Sequence, residues 1–158
     1  MELTLQLTRW LLAAAHVLAG AAWFGAMFYS LTIVHPKARA FFGQPRQFED
    51  FIAHLAAGAR WKVLGGATFI AITGLGLWLC SGKEEWSAGR SVLLLVKTIL
   101  FVAAVGLFCF TSWKLWPART LAAADEIPKF QRKFRMVAVV LLALVGASMV
   151  LGVVGTHL

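Results

Sequence analysis

WLLAAAHVLAGAAWFGAMFYSLTIV, residues 10–34, is 25 residues long and holds no acid and no lysine or arginine. About 20 apolar residues cross the hydrocarbon core of a bilayer as a helix. Three more runs have the same character: Val63–Gly82, Ser91–Trp113 and Met136–Gly155, of 20, 23 and 20 residues. Between them they carry one full charge, Lys97, while His16 is the only histidine in any of the four. The runs are continuous and do not alternate with period two, which excludes a membrane β-barrel. A lipid-exposed backbone must satisfy its hydrogen bonds internally, so the spans are helices.

The expected fold is therefore all-α, an integral membrane four-helix bundle. The connections are short enough for sequential antiparallel neighbours in an up-down-up-down order. The 158 residues are 60% hydrophobic and leave no extramembrane segment large enough for a water-soluble core, so 1–158 reads as a single domain. The first run is too long, and too weakly preceded by positive charge, for a cleaved signal peptide. No internal repeat stands out.

Net charge +8 could suggest nucleic acid, but its distribution points to a membrane. Eleven basic residues lie on one side: Lys37, Arg39, Arg46, Arg60 and Lys62, then Lys114, Arg119, Lys129, Arg132, Lys133 and Arg135. Only Arg9, Lys83 and Arg90 lie on the other. The positive-inside rule puts the basic loops in the cytoplasm, against anionic headgroups, and both termini outside. In a bacterium this is the inner membrane with periplasmic termini. Trp86 reads as an interfacial anchor. Cys80 and Cys109 fall at opposite depths and read as packing residues rather than a disulfide.

Helix 1 is expected to end near HPKARAFFGQP, residues 35–45, where Pro36 and Pro45 bracket a cytoplasmic connection. Phe48, Phe51, Ile52 and Leu55 then follow at helical spacing. They predict an amphipathic helix on the inner headgroups, or a lead-in continuous with helix 2.

An ionisable group inside hydrocarbon is costly and is a candidate for function. His16 follows Trp10 by six residues, and Lys97 follows Ser91 by six. Helices 1 and 3 run in the same direction, so both groups lie roughly 9 Å deep from the outer side. Gly20, Trp23, Met27 and Val34 fall within about 40° of His16 around its helix, and Arg90, Phe101, Ala104 and Phe108 fall on the Lys97 side. These parts resemble those of a haem b pocket. On this expectation His16 is a metal ligand and neutral Lys97 a second ligand or a gate. Trp23 is an aromatic wall, and Arg90 a propionate partner two turns above Lys97.

Two plainer readings stay open: Lys97 can snorkel to the headgroups, and His16 can be an interhelical hydrogen-bond donor. His35 and His54, on the inner side, are weaker candidates for a metal or a second haem, and they also suit interfacial polar residues. His157 falls near the outer surface. Copper is the alternative to haem, although soft ligands are sparse.

HVLAGAAWFGAMFY, residues 16–29, and GRSVLLLVK, residues 89–97, resemble the copper resistance protein D (CopD) family. Its first helix carries a histidine, then a tryptophan and a glycine motif, and its third a lysine. His16, Trp23, Phe24, Phe28, Tyr29 and Lys97 are also similar to the HemJ-type protoporphyrinogen oxidase family, which is associated with haem b held through histidine and lysine. Ser30–Val34 lacks the arginine found in that family after the aromatic pair, and KFQRKFRMVAVV, residues 129–140, lacks its Asn-Glu-Pro-like motif. The CopD resemblance implies an inner-membrane protein that binds haem b or copper between helices 1 and 3, for metal handling or electron transfer. The HemJ resemblance implies a haem-dependent oxidase that passes electrons to quinone. The small soluble mass also suits a non-catalytic subunit of a larger membrane complex, or a homo-oligomer. Partners expected on these readings are the lipid bilayer and a quinone or redox protein.

Overall fold

The computed structural model describes residues 2–82, 87–123 and 125–155. Trp86, Lys83 and His157 lie outside the described residues. The fold is all-α. Helix α1 spans Glu2–Phe42, α2 Pro45–Ala56, α3 Ala59–Cys80, α4 Ala88–Thr120 and α5 Ile127–Val154. The four long helices α1, α3, α4 and α5 are each long and apolar enough to cross a membrane. Large apolar side chains point outward along them, among them Leu18 at 69% exposure, Leu95 at 61% and Val150 at 62%. Apolar surface on this scale needs hydrocarbon as its solvent, and the protein is a multi-pass membrane protein.

The helices overrun the apolar runs, and α1 does so most. It continues through Pro36 to Phe42 instead of ending near His35. A π-turn over Ser30–Val34, closed by the His35 N–H on the Ser30 carbonyl, makes this possible. Proline has no N–H for the ladder, and its ring crowds the preceding turn. The wider turn relieves both, and Pro36 becomes an early residue of the segment after it. Helix α4 repeats the device: a π-turn over Thr111–Leu115 precedes Trp116 and Pro117.

Close backbone packing pairs α1 with α3, α4 with α5, and α1 with α5. Helices α3 and α4 meet at the basic end of the bundle through long side chains. Arg60 donates to the Ser112 carbonyl at 2.6 Å and lies over the Trp113 ring, and Trp61 meets Trp113 edge-on. One core joins Ala104 of α4 to Leu141 and Val145 of α5, covered by Trp23, Phe24 and Met27 of α1. Cys80 and Cys109 are both free.

A second core lies on the basic side. Phe48 and Ile52 of α2 are 2% and 4% exposed and pack against Ala38, Phe42 and Trp116. The bundle thus covers half of the apolar face of α2, while Phe51 and Leu55 of the same face stay exposed at 36% and 55%. Helix α2 does not run into α3, because Gly58 caps α3 in the left-handed region at φ 72°. A side chain there would meet nothing within 4 Å, so only the backbone opposes one. Left-handed geometry costs an L-residue about 1–2 kcal/mol. Gly58→Ala is expected to lower stability by that amount in detergent unfolding. An unchanged midpoint would mean that the chain does not turn at residue 58.

Candidate functional site

His16 sits on the face of α1 that packs against α3. Its Nδ1 lies 3.1 Å from the Ile70 carbonyl and 3.0 Å from Thr73 Oγ1. A carbonyl can only accept, so Nδ1 carries the proton. The Thr73 hydroxyl directs its own hydrogen to the Phe69 carbonyl at 2.9 Å and offers His16 a lone pair. Thr73 is 3% exposed, which shields these bonds from competition. The other ring nitrogen, Nε2, is left as the basic one. Metal-ligating histidines are oriented in this way by a bond from the second nitrogen to a carbonyl.

Gly74 makes room for the ring. A methyl group at residue 74 would lie 3.1 Å from His16 Cε1, tighter than nearly all real contacts. On the other flank, a side chain at Gly20, one turn along α1, would meet nothing within 4 Å. The imidazole is therefore held firmly on the α3 side, with open space beside it on its own helix.

Lys97 is half-buried on α4 and reaches across to α5, where a methyl at Gly152 would lie 3.2 Å from its Nζ. Among the described residues no acid or carbonyl takes its ammonium group. Helices α1 and α4, which carry His16 and Lys97, meet through Trp23 and Phe101. Each is seated on a different partner helix. Trp23 lies two turns beyond His16 along α1, edge-on to Phe101 of α4 with ring centroids 6.3 Å apart. Arg90 is half-buried near the start of α4, where Ser87 Oγ accepts the Arg90 N–H at 3.2 Å and caps the helix.

The inner histidines are placed differently. His35 is half-buried, with its ring edge-on to Phe48 at 5.9 Å. His54 is exposed near the end of α2. No group of three or more His, Cys, Asp or Glu able to hold a metal occurs among the described residues.

Reading by residue type missed Ile70, Thr73, Gly74 and Gly152. Thr73 is the most buried polar residue of α3, and a hydroxyl inside an apolar run was the available signal. The carbonyl carries none, and the glycines read only as small residues that let membrane helices pack closely. Arg119 was also misplaced. One of the eleven basic residues expected at the headgroups, it is 6% exposed and paired inside the protein with Glu49.

Comparison with protein-family models, with curated proteins and with solved structures finds no match for this chain.

Proposed function

We propose that this chain is a multi-pass protein of the bacterial inner membrane, with both termini periplasmic, which binds haem b near the outer leaflet and serves electron transfer. His16 is the ligand through Nε2. Lys97, as the free amine, is the second ligand or the gate to the iron. Arg90 and Trp23 hold a propionate and a face of the ring. Haem supplies one-electron chemistry within hydrocarbon, and the natural exchange partner is a membrane quinone or a redox protein.

The observation that carries this reading is the bond from His16 Nδ1 to the Ile70 carbonyl. It fixes the tautomer and aims a lone pair away from α3. A neutral imidazole that joins two helices through Nδ1 keeps a basic Nε2 as well, so the bond suits an interhelical donor and a ligand alike, and the surroundings of Nε2 favour the ligand. The residues around it suit a flat apolar group: the open flank at Gly20, the Trp23 and Phe101 rings, and a lysine without an acid.

The test is an optical spectrum of protein purified from cells supplied with haem precursor and copper. A Soret band near one haem per chain, shifting on reduction, is expected. Copper without a Soret band would move the reading to metal handling. A colourless, copper-free protein would overturn both.

A further inference from the structure

The two halves of the bundle repeat each other. Adding 81 to a residue number on α1 gives its counterpart on α4. The π-turn Ser30–Val34 maps onto Thr111–Leu115, Pro36 onto Pro117, Arg9 onto Arg90 and Leu12 onto Leu93. His16 maps onto Lys97. Adding 78 carries α3 onto α5: buried Ala67 onto buried Val145, and Gly74 onto Gly152. The tertiary contacts follow the same rule. His16 lies on Gly74 as Lys97 lies on Gly152, with hypothetical methyl contacts of 3.1 and 3.2 Å. Four positions earlier, Leu12 lies on Gly76, while its counterpart Leu93 comes near Gly155, one residue past the position that the offset of 78 gives. The close pairs α1/α3 and α4/α5 are the two copies of one hairpin.

We propose that the chain is a fused duplication of one membrane hairpin, in which His16 and Lys97 hold the same position of the repeat and Gly74 and Gly152 are their paired positioning residues. Parallel repeats are related by an axis along the membrane normal. A group held by both side chains therefore lies across that axis. The ligand role of the pair rests on the haem reading above; the repeat itself does not.

The sequence hides the repeat for a physical reason. Residues near a two-fold axis meet their own counterparts, and two large side chains cannot share one space. Here large is paired with small: Gly20 with Phe101, and Trp23 with Ala104. Trp23 packs on Phe101 and against the core cluster of Ala104, Leu141 and Val145, in which Ala104 is 1% exposed. Two identical hairpins could not fill the axis this way. Fusion let the halves diverge there, and the same divergence gave one half a histidine and the other a lysine.

Two experiments test this on the full chain. The first exchanges the ligands. The double variant His16→Lys/Lys97→His is expected to take up haem b at the wild-type stoichiometry with a closely similar spectrum, while His16→Lys alone loses most of it. A double variant that stays monodisperse and haem-free, beside a haem-loaded wild type, overturns the equivalence. The second needs no haem and separates the repeat from the haem reading, which a haem-free wild type would sink alone. Gly74→Val and Gly152→Val should each lower the melting midpoint in detergent by roughly 3–8 °C. His16→Ala should relieve the first and Lys97→Ala the second, with no relief when the partners are crossed. Relief in one half and none in the other would overturn the duplication.

Discussion

Replacing His16 with alanine is expected to abolish haem b uptake while leaving the bundle folded. Loss of an outer-shell partner costs a metal site about 10–100-fold in affinity. Loss of the ligand itself should exceed about 100-fold, because Lys97 would remain as the single donor and an ammonium must first shed its proton to bind iron. The fold should tolerate the change. His16 is half-buried, and its bonds go to groups with other partners: the Thr73 hydroxyl keeps the Phe69 carbonyl, and the Ile70 carbonyl lies within the hydrogen-bonded ladder of α3. The alanine leaves a gap the size of an imidazole over Gly74, on a flank that already adjoins open space at Gly20. Free imidazole should enter it and restore the Soret band in a concentration-dependent way, which a purely structural histidine would not show. Absorbance titration with haem, with and without imidazole, measures this. A His16→Ala protein with the wild-type band position and stoichiometry would remove His16 from the site.

The spans, their helical state and the isolation of His16 and Lys97 are legible in the sequence because each follows from one strong rule. Hydrocarbon excludes charge, and an unpaired backbone cannot cross it. Helix ends were less legible. Pro36 and Pro117 read as terminators, since proline removes a donor and clashes with the turn before it. A π-turn ahead of each removes both objections, and it is built by backbone hydrogen bonds that leave little trace in residue type. The seats of His16 and Lys97 were hidden for a related reason. A matched depth on parallel helices follows from counting, but Gly74 and Gly152 belong to partner helices whose register is set by packing. Arg119 shows the limit of counting charges: its sign fits the positive-inside rule, and its position does not fit a headgroup contact.

Arg119→Ala is expected to be the most destabilising single substitution on the inner side, at about 3–5 kcal/mol, because it leaves a buried carboxylate without its counter-charge. Arg119 grips Glu49 with two bonds, Nε to Oε2 at 2.6 Å and Nη2 to Oε1 at 3.0 Å. The side chains are 4% and 14% exposed, so water screens little of the attraction. The guanidinium also lies over the rings of Trp116 and Phe134, at 5.5 and 4.6 Å. Gln131 donates to Glu49 Oε1 at 2.8 Å and accepts from Arg39 at 2.6 Å. Three elements, α2, α4 and α5, thus meet at one carboxylate, with α1 joined through Gln131, and the other fastenings of α2 are the apolar contacts of Phe48, Phe51 and Ile52. With alanine at 119, Glu49 keeps only the glutamine, and either it takes a proton or α2 lifts away to hydrate it. Pairing the change with Glu49→Leu, and using Arg119→Met to retain contact with the two rings, removes both charges together. That double variant should unfold much closer to wild type than Arg119→Ala, since replacing a buried ion pair by apolar groups of similar volume is often close to neutral. Thermal unfolding in detergent of the single and double variants measures the difference. An Arg119→Ala midpoint equal to wild type would show that the pair fastens nothing. A double variant as unstable as the sum of its parts would show that the network of Gln131 and Arg39, rather than the charge pair, holds α2 to the bundle.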